Sequence, residues 1–504
     1  MTRYPRPVPR RAALPFLVLA AIACGNKEQA APRDAGPPAL DGGATLPAGD
    51  ASAAGDAGAA SDAQTASKDA PAGDFASWIR ARLPAGGKLV DDGGLKIVHT
   101  IAASDTHASI AAAYLDLTSV YHAKDLAAQI QKRAPILTAG QTVEIPGLLT
   151  AAYKDPEHDR LGWPEDKALR GVFITGVYAG LYWAKTIDQV AARNMNAIVL
   201  DAKDYMGPVN YPTKVKLANE MEAAKDPPIP DMARAIRFAH ARGLRIILRI
   251  PCFHDPLAAK KAPRLSLMGT WGGPMDMGWL DPTNEEAQGY VMDLVKEGIS
   301  FGADEIQLDY IRFPVVGPVK SMKLPPAKNG ERIRYIRDIV HKVHDVTSAA
   351  NVPLSLDIFG VTATGDRSDW EALGQDIATL GSECEALSPM VYPSHYDDGY
   401  HGFAKPGDHP EVIGIGTKAA VRFLGQSKPK PTAVIRSWLQ AFAWKAPTYG
   451  PKYLVEEARQ AEANGGVGWL MWSPGNDYYA AWVGFPPVTD KSGDKVAAKP
   501  EKKP

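Results

Sequence analysis

Cysteine is scarce in this 504-residue chain: Cys24, Cys252 and Cys384 are the full set. No Cys/His spacing of the metal-binding kind accompanies them, so neither a metal site nor a cofactor is expected. An excess of charge is also missing. Fifty-six Lys and Arg against 57 Asp and Glu leave a formal net charge of −1, without the basic field that a chain-wide grip on nucleic acid requires. Long apolar runs are absent too. The run Ala12 to Ala23 is too short to cross a bilayer as a folded helix. What the chain does have is 45% hydrophobic residues, enough for a sizeable core, together with 11 Trp and 18 Tyr. Those aromatics suit flat, amphipathic ligands as readily as they fill interiors.

The N-terminus reads as an export signal. Arg3, Arg6, Arg10 and Arg11 precede the apolar run, the order of a positive n-region and a signal h-region. The run ends in Ala21-Ile22-Ala23-Cys24-Gly25. This stretch resembles the lipobox of bacterial lipoproteins, with Ala21 where Leu is usual, and the resemblance implies lipidation at Cys24 and a membrane anchor. An ordinary secretory peptide is the alternative, and the Arg10-Arg11 pair also permits twin-arginine export. Residues 1–24 are therefore expected to be a signal peptide, and the mature chain to be anchored to the envelope, periplasmic or secreted. Residues 25–74 are almost wholly Ala, Gly, Asp, Ser, Pro and Thr. Such a stretch buries too little apolar surface to offset ordering entropy and predicts a solvated tether. The Lys-rich tail, 484–504, predicts the same.

A small unit follows at 77–150. His99-Thr100-Ile101 suits an opening strand, Asp105 or Thr106 can cap a helix through Ile110 and Tyr114, and Leu126 and Ile130 suit a second helix. With Gly140-Gln141-Thr142-Val143-Glu144-Ile145-Pro146 as closing strand, the stretch resembles the βααβ LysM module. That resemblance implies binding to peptidoglycan or a related glycan; a spacer that has lost binding is the alternative.

From 168 to 483 short apolar strands alternate with longer amphipathic stretches. Eight strands are predicted, at 171–175, 197–201, 244–249, 305–309, 354–359, 387–392, 432–436 and 467–472. That count and size predict an α/β fold of the (β/α)₈ barrel type. A doubly wound sheet is the structural alternative, but no Gly-rich phosphate fingerprint follows the first strand. Arg332, Arg334, Arg337 and Lys342 read as the solvated face of a helix. Cys252 and Cys384 fall at opposite ends of the barrel and are expected to be buried free thiols.

In such barrels the chemistry sits at the strands' C-terminal ends, and polar or aromatic residues gather there. Asp201, Lys203 and Asp204 follow the second strand, His254 and Asp255 the third, and Asp309, Tyr310 and Arg312 the fourth. Asp357 lies on the fifth, and Tyr392, Ser394 and His395 stand at the sixth, Arg436, Trp438 and Gln440 at the seventh, Trp472 and Asn476 at the eighth.

The segments Asp201-Ala-Lys-Asp204, Trp279-Leu-Asp-Pro-Thr-Asn284, Gln307-Leu-Asp-Tyr-Ile-Arg-Phe-Pro314, Met390-Val-Tyr-Pro-Ser-His395 and Arg436-Ser-Trp-Leu-Gln440 make the region from Arg170 to Trp472 resemble a bacterial family. It was long catalogued as a domain of unknown function and assigned to the glycoside hydrolases by kinship. The resemblance implies glycoside cleavage by two carboxyl groups, one ionised and one protonated. Asp309 beside Arg312 is the expected anion. Asp357 is the first choice of acid, with Asp201 and Asp204 in reserve. Asp201, Lys203, Asp204, His254, Tyr310, Arg312, Tyr392, His395, Arg436, Trp438, Gln440 and Trp472 are expected to hold a polysaccharide substrate. A barrel that binds glycan without cleaving it, or that only scaffolds envelope partners, is the alternative at this point.

Overall fold

The computed structural model describes residues 75–428 and 431–488. The expected signal peptide, Cys24, the tether and most of the Lys-rich tail lie outside the described residues. Of that tail, Val488 is held by its N–H to the Ala192 carbonyl, 2.9 Å. Among the described residues no helix is long and apolar enough to cross a membrane.

The N-terminal unit opens with a helix, Phe75–Arg80, and a hairpin of β1 (Gly87–Asp91) and β2 (Leu95–Thr100). Helices His107–Tyr114 and Ala123–Arg133 follow, and β3 (Thr142–Ile145) returns antiparallel to β2. The strand–helix–helix–strand order read over 99–146 is present, with the opening strand starting at Leu95. Thr106 is the helix cap, accepting from Ser109 N at 3.0 Å. Asp105 is used differently: it meets His99 Nε2 at 2.9 Å, while His99 Nδ1 meets the Tyr114 hydroxyl at 2.8 Å. The unit docks on helix Met232–His240, where Arg234 binds Asp116 at 2.9 Å and Tyr121 packs edge-on against Phe238.

Nine parallel strands form the second sheet: β4 (Leu169–Ile174), β5 (Ala197–Asp201), β6 (Arg245–Pro251), β7 (Glu305–Asp309), β8 (Leu354–Phe359), β9 (Ala386–Met390), β10 (Val434–Ile435), β11 (Trp438–Gln440) and β12 (Gly468–Trp472). Their order is β10-β9-β8-β7-β6-β5-β4-β12-β11. The two edges belong to one stretch of chain. β10 pairs with β9 and β11 with β12. Between them Arg436 N donates to Leu387 O, and Leu470 N donates to Ser437 O. Residues 434–440 thus act as one strand touching both neighbours, and the sheet closes as the expected (β/α)₈ barrel.

The barrel interior has two chemistries. Leu169 and Phe173 on β4, Ala197 and Val199 on β5, Ile247 on β6 and Leu470 on β12 form one apolar cluster inside. On β7 and β8 the alternate residues Glu305, Gln307, Asp309, Ser355 and Asp357 are buried and polar, while Ile306, Leu308, Leu354, Leu356 and Ile358 join the core between sheet and helices. Period-two alternation therefore turns a polar row inward on one side of the barrel.

The N-terminal end of the barrel is plugged by residues just ahead of β4. Leu161 N and Gly162 N donate to Asp304 Oδ1 at 2.6 and 3.0 Å, and Trp163 Nε1 donates to Glu305 at 2.7 Å. Arg436 completes this plug. Its Nη1 meets Glu305 at 2.9 Å, and its guanidinium lies 4.9 Å from the Trp163 ring centre. Arg436 was expected at the mouth; it lies at the opposite end. The seventh strand runs on to Gln440, so the apparent strand end is its lower half. Arg332 also departs from expectation. It is buried, donating to Pro325 O at 2.9 Å and Ala372 O at 2.8 Å. Cys252 and Cys384 are both buried and free.

Glu305 supplies the carboxylate that Arg436 pairs with, and both side chains are fully buried. Glu305→Ala should cost about 3–5 kcal/mol by stranding a buried cation, read as a lower urea midpoint. Glu305→Met with Arg436→Met should recover most of the loss; a double variant as weak as the single would refute the pairing.

Candidate active site

Arg249 stands in the apolar stretch Ile246-Ile-Leu-Arg-Ile250 of β6 and turns into the barrel. In register it lies beside Asp201 on β5 and Gln307 on β7. Its Nη1 donates to Asp201 Oδ1 at 2.6 Å and its Nη2 to Asp309 Oδ2 at 2.5 Å. Its Nε reaches Asp309 Oδ2 at 3.2 Å and Asp357 Oδ2 at 3.5 Å. One guanidinium thus gathers carboxyl groups from the C-terminal ends of β5 and β7 and from within β8. Its carbon lies 5.2 Å from the Phe173 ring centre, on the apolar side of the barrel.

Burial alone would lower the Arg249 pKa; the carboxylates of Asp201, Asp309 and Asp357 outweigh it and hold the cation well above its usual range. Three carboxyls around one cation cannot all ionise cheaply in a water-poor interior. Burial, then the charge of Asp309, pushes Asp357 well above the usual carboxyl range, against the pull of Arg249 and a 2.7 Å hydrogen bond from Trp438 Nε1. Burial pushes Asp201 up to about 7, with Arg249 opposing. Asp309 is the most richly donated of the three. Besides Arg249 it accepts from Tyr310 N at 2.5 Å through Oδ1. Tyr310 makes that contact from a left-handed backbone, φ 50°, a conformation that non-glycine residues adopt at a cost and mainly where function holds them.

Two aromatic walls flank the cluster. On the β6–β7 side Tyr205, His254 and Tyr310 stack, with centroids 5.7 Å apart for Tyr205 and His254 and 5.0 Å for His254 and Tyr310. Trp279 meets both His254 and Tyr310 edge-on. Arg312 is buried against this wall, 4.8 Å from the ring centres of both Trp279 and Phe359. It does not bind Asp309; Arg249 takes the place that sequence proximity suggested for it. On the other side Tyr392 stacks on Trp472 at 5.6 Å, with Phe442 edge-on to both. His395 and Trp444 extend that wall. Burial lowers the His254 pKa and pushes His395 down to about 4, so both rings are neutral at pH 7.

Not every expected residue faces the cluster. Lys203 is fully buried, 2.9 Å from Asp255 Oδ2 and donating to Pro251 O. It ties the loop after β5 to the end of β6. Gln440 accepts from Ser394 N and donates to Phe442 O, pinning the second wall rather than offering its amide to a ligand. Asp204 is half-buried and its Oδ1 accepts from Met206 N at 2.7 Å. Trp438 lines the interior through its bond to Asp357. Arg249, Tyr205, Phe442 and Trp444 were not anticipated. For Arg249 a signal was present: a charge between the apolar residues Leu248 and Ile250. Among the described residues no group of three or more His, Cys, Asp or Glu side chains is arranged to hold a metal.

No curated protein matches the chain. Among solved structures it is similar to a hypothetical protein from Ruminiclostridium thermocellum, 29% identical over 37% of this chain and 96% of that one, with a TM-score of 0.33. It is also similar to an alpha-galactosidase from Thermus thermophilus (16% identity, 67% of each chain, TM-score 0.40) and to the catalytic domain of a beta-amylase from Paenibacillus polymyxa (11% identity, 66% and 100%, TM-score 0.41). The family described as "Putative glycosyl hydrolase domain" matches residues 171–478, which run from β4 past β12 and span the Arg249 cluster and both walls. The chain belongs to this family, and its barrel stands among the glycoside hydrolases.

Proposed function

We propose that the barrel cleaves a glycosidic bond in a cell-envelope or extracellular polysaccharide, with Asp309 as the ionised carboxylate and Asp357 as the proton donor. The observation that carries this reading is the convergence of both carboxyls on Arg249 Nε. Asp309, which accepts from Arg249 and from the Tyr310 N–H, is the carboxylate that faces the positive charge developing at the anomeric carbon. Burial and the charge of Asp309 favour the protonated form of Asp357, which passes its proton to the departing glycosidic oxygen. Water supplies the hydroxyl that completes hydrolysis. Asp201 takes the other side of Arg249 and sets how much of that cation Asp309 receives. Tyr310, His254, Tyr392 and Trp472 offer ring faces and edges for pyranose rings. In the same reading the 77–150 unit holds peptidoglycan or a related glycan, supported by its strand–helix–helix–strand order, and Cys24 carries a lipid anchor to the envelope.

Asp309→Asn should abolish turnover on every glycoside the wild type cleaves. Asp357→Asn should cost about 10²–10⁴ in kcat/KM on substrates with poor leaving groups and far less on dinitrophenyl glycosides, whose phenolate departs unaided. Equal losses on both would remove Asp357 from the acid role.

Asp201 also generates a pH signature. Its folded-state pKa is about 7 against an ordinary 3.8. The stability it contributes is therefore complete below the ordinary value and is lost as pH rises through about 7. Asp201→Asn should flatten the fall in urea midpoint between pH 5 and pH 8; an unchanged slope would show that Asp201 does not titrate there.

A further inference from the structure

The loop after β6 carries a hairpin whose base stands in the active-site wall. Ser266 bridges to Leu280 and Met268 to Pro274, with Leu267 N donating to Trp279 O and Met275 N to Leu267 O. Trp279, at the base, meets His254 and Tyr310. The tip is Gly269-Thr270-Trp271-Gly272-Gly273. It is braced within itself by Gly269 N donating to Gly273 O at 2.7 Å. It is braced from outside by Thr270 N donating to Ser321 O at 2.9 Å and Lys323 N donating to Met268 O at 2.7 Å.

Trp271, at that tip, is 64% exposed, an unusual state for the largest apolar side chain. Its orientation follows from its glycine neighbours. A Cβ placed on Gly269 would lie 2.5 Å from Cη2, Cζ2 and Cζ3 alike. A point equidistant from three atoms of one ring lies on the axis through that ring's centre, so Gly269 sits under the indole face. A Cβ on Gly273 would come within 2.9 Å of Nε1. The ring therefore rests on its own backbone, which only glycine permits there, and turns its other face to solvent. Five residues lie between Gly273 and Trp279, which bounds their separation at about 20 Å.

We propose that Trp271 is a stacking platform for a pyranose ring of the polysaccharide, several sugar units from the bond cleaved at Asp309; this rests on the glycosidase reading above. A flat apolar face held in advance binds the C–H face of a neutral sugar at little entropic cost. The tip, Gly-Thr-Trp-Gly-Gly, bears no charge to select an ion. The hairpin is continuous with the aromatic wall through Trp279, which ties the platform to the site.

The test uses native electrophoresis through gels containing glycol chitin, xylan or galactomannan, with the full chain in an Asp309→Asn background so that the polymer persists. At least one polymer should retard this protein. Adding Trp271→Ala should weaken that association about threefold to tenfold, and adding Trp271→Phe should weaken it less. With Asp309 intact, Trp271→Ala should leave kcat/KM on a p-nitrophenyl glycoside unchanged and raise KM on the retarding polymer. Retardation by none of the polymers, equal retardation with and without Trp271, or an equal loss on the small glycoside would overturn the platform. Trp271-dependent retardation by a chain whose wild type cleaves no glycoside would keep the platform and defeat the catalytic reading instead.

Discussion

The barrel's chemistry turns on one buried cation. Arg249 holds Asp201, Asp309 and Asp357 within reach of a single guanidinium, and without it three carboxyls could not share so small a space. A buried cation of this kind costs desolvation that only paired anions return. Here the anions outnumber it, so the cluster favours holding protons as well as charge. Burial and the charge of Asp309 accordingly push the Asp357 carboxyl well above its usual range, and burial pushes Asp201 up to about 7.

The rest of the barrel supports this arrangement by keeping its two chemistries apart. Leucine, valine, isoleucine and phenylalanine on β4, β5, β6 and β12 fill one side of the interior, and the polar row of β7 and β8 occupies the other. At the N-terminal end a second buried pair, Arg436 with Glu305, closes the polar row under Trp163. The polar row is thus bounded by a charge pair at the floor and a charge cluster near the mouth. The aromatic walls then set what can approach: ring faces and neutral imidazoles, suited to sugar rather than to ions.

Much of this was legible in the chain. Asp309 at the end of an apolar strand, the eight alternations and the aromatic residues after each strand pointed to the mouth of a barrel. Strand-end arguments located Asp201 and Asp309 because those residues end short, well-bounded strands, and Tyr392 follows β9 by two residues. They failed for Arg436 because the seventh strand continues past it: Ser437-Trp438-Leu439-Gln440 reads as a loop with aromatic decoration but pairs with β12. They failed for Lys203 because a charged residue after a strand is as well satisfied by Asp255 behind it as by a ligand in front.

By itself the sequence determined the strand count, the alternation that puts polar residues inside β7 and β8, and the presence of Asp309 and Asp357 on adjacent strands. Those are local properties, set by the period of two and by the apolar segments that surround them. The tertiary structure decided which cation serves the carboxyls. Arg312 is three residues from Asp309 in the chain yet lies against the Trp279 and Phe359 rings, whereas Arg249 is sixty residues away and bonds to it. Parallel strands bring distant residues level across the sheet, and only the closure of the barrel, through residues 434–440, fixes which of them share its interior.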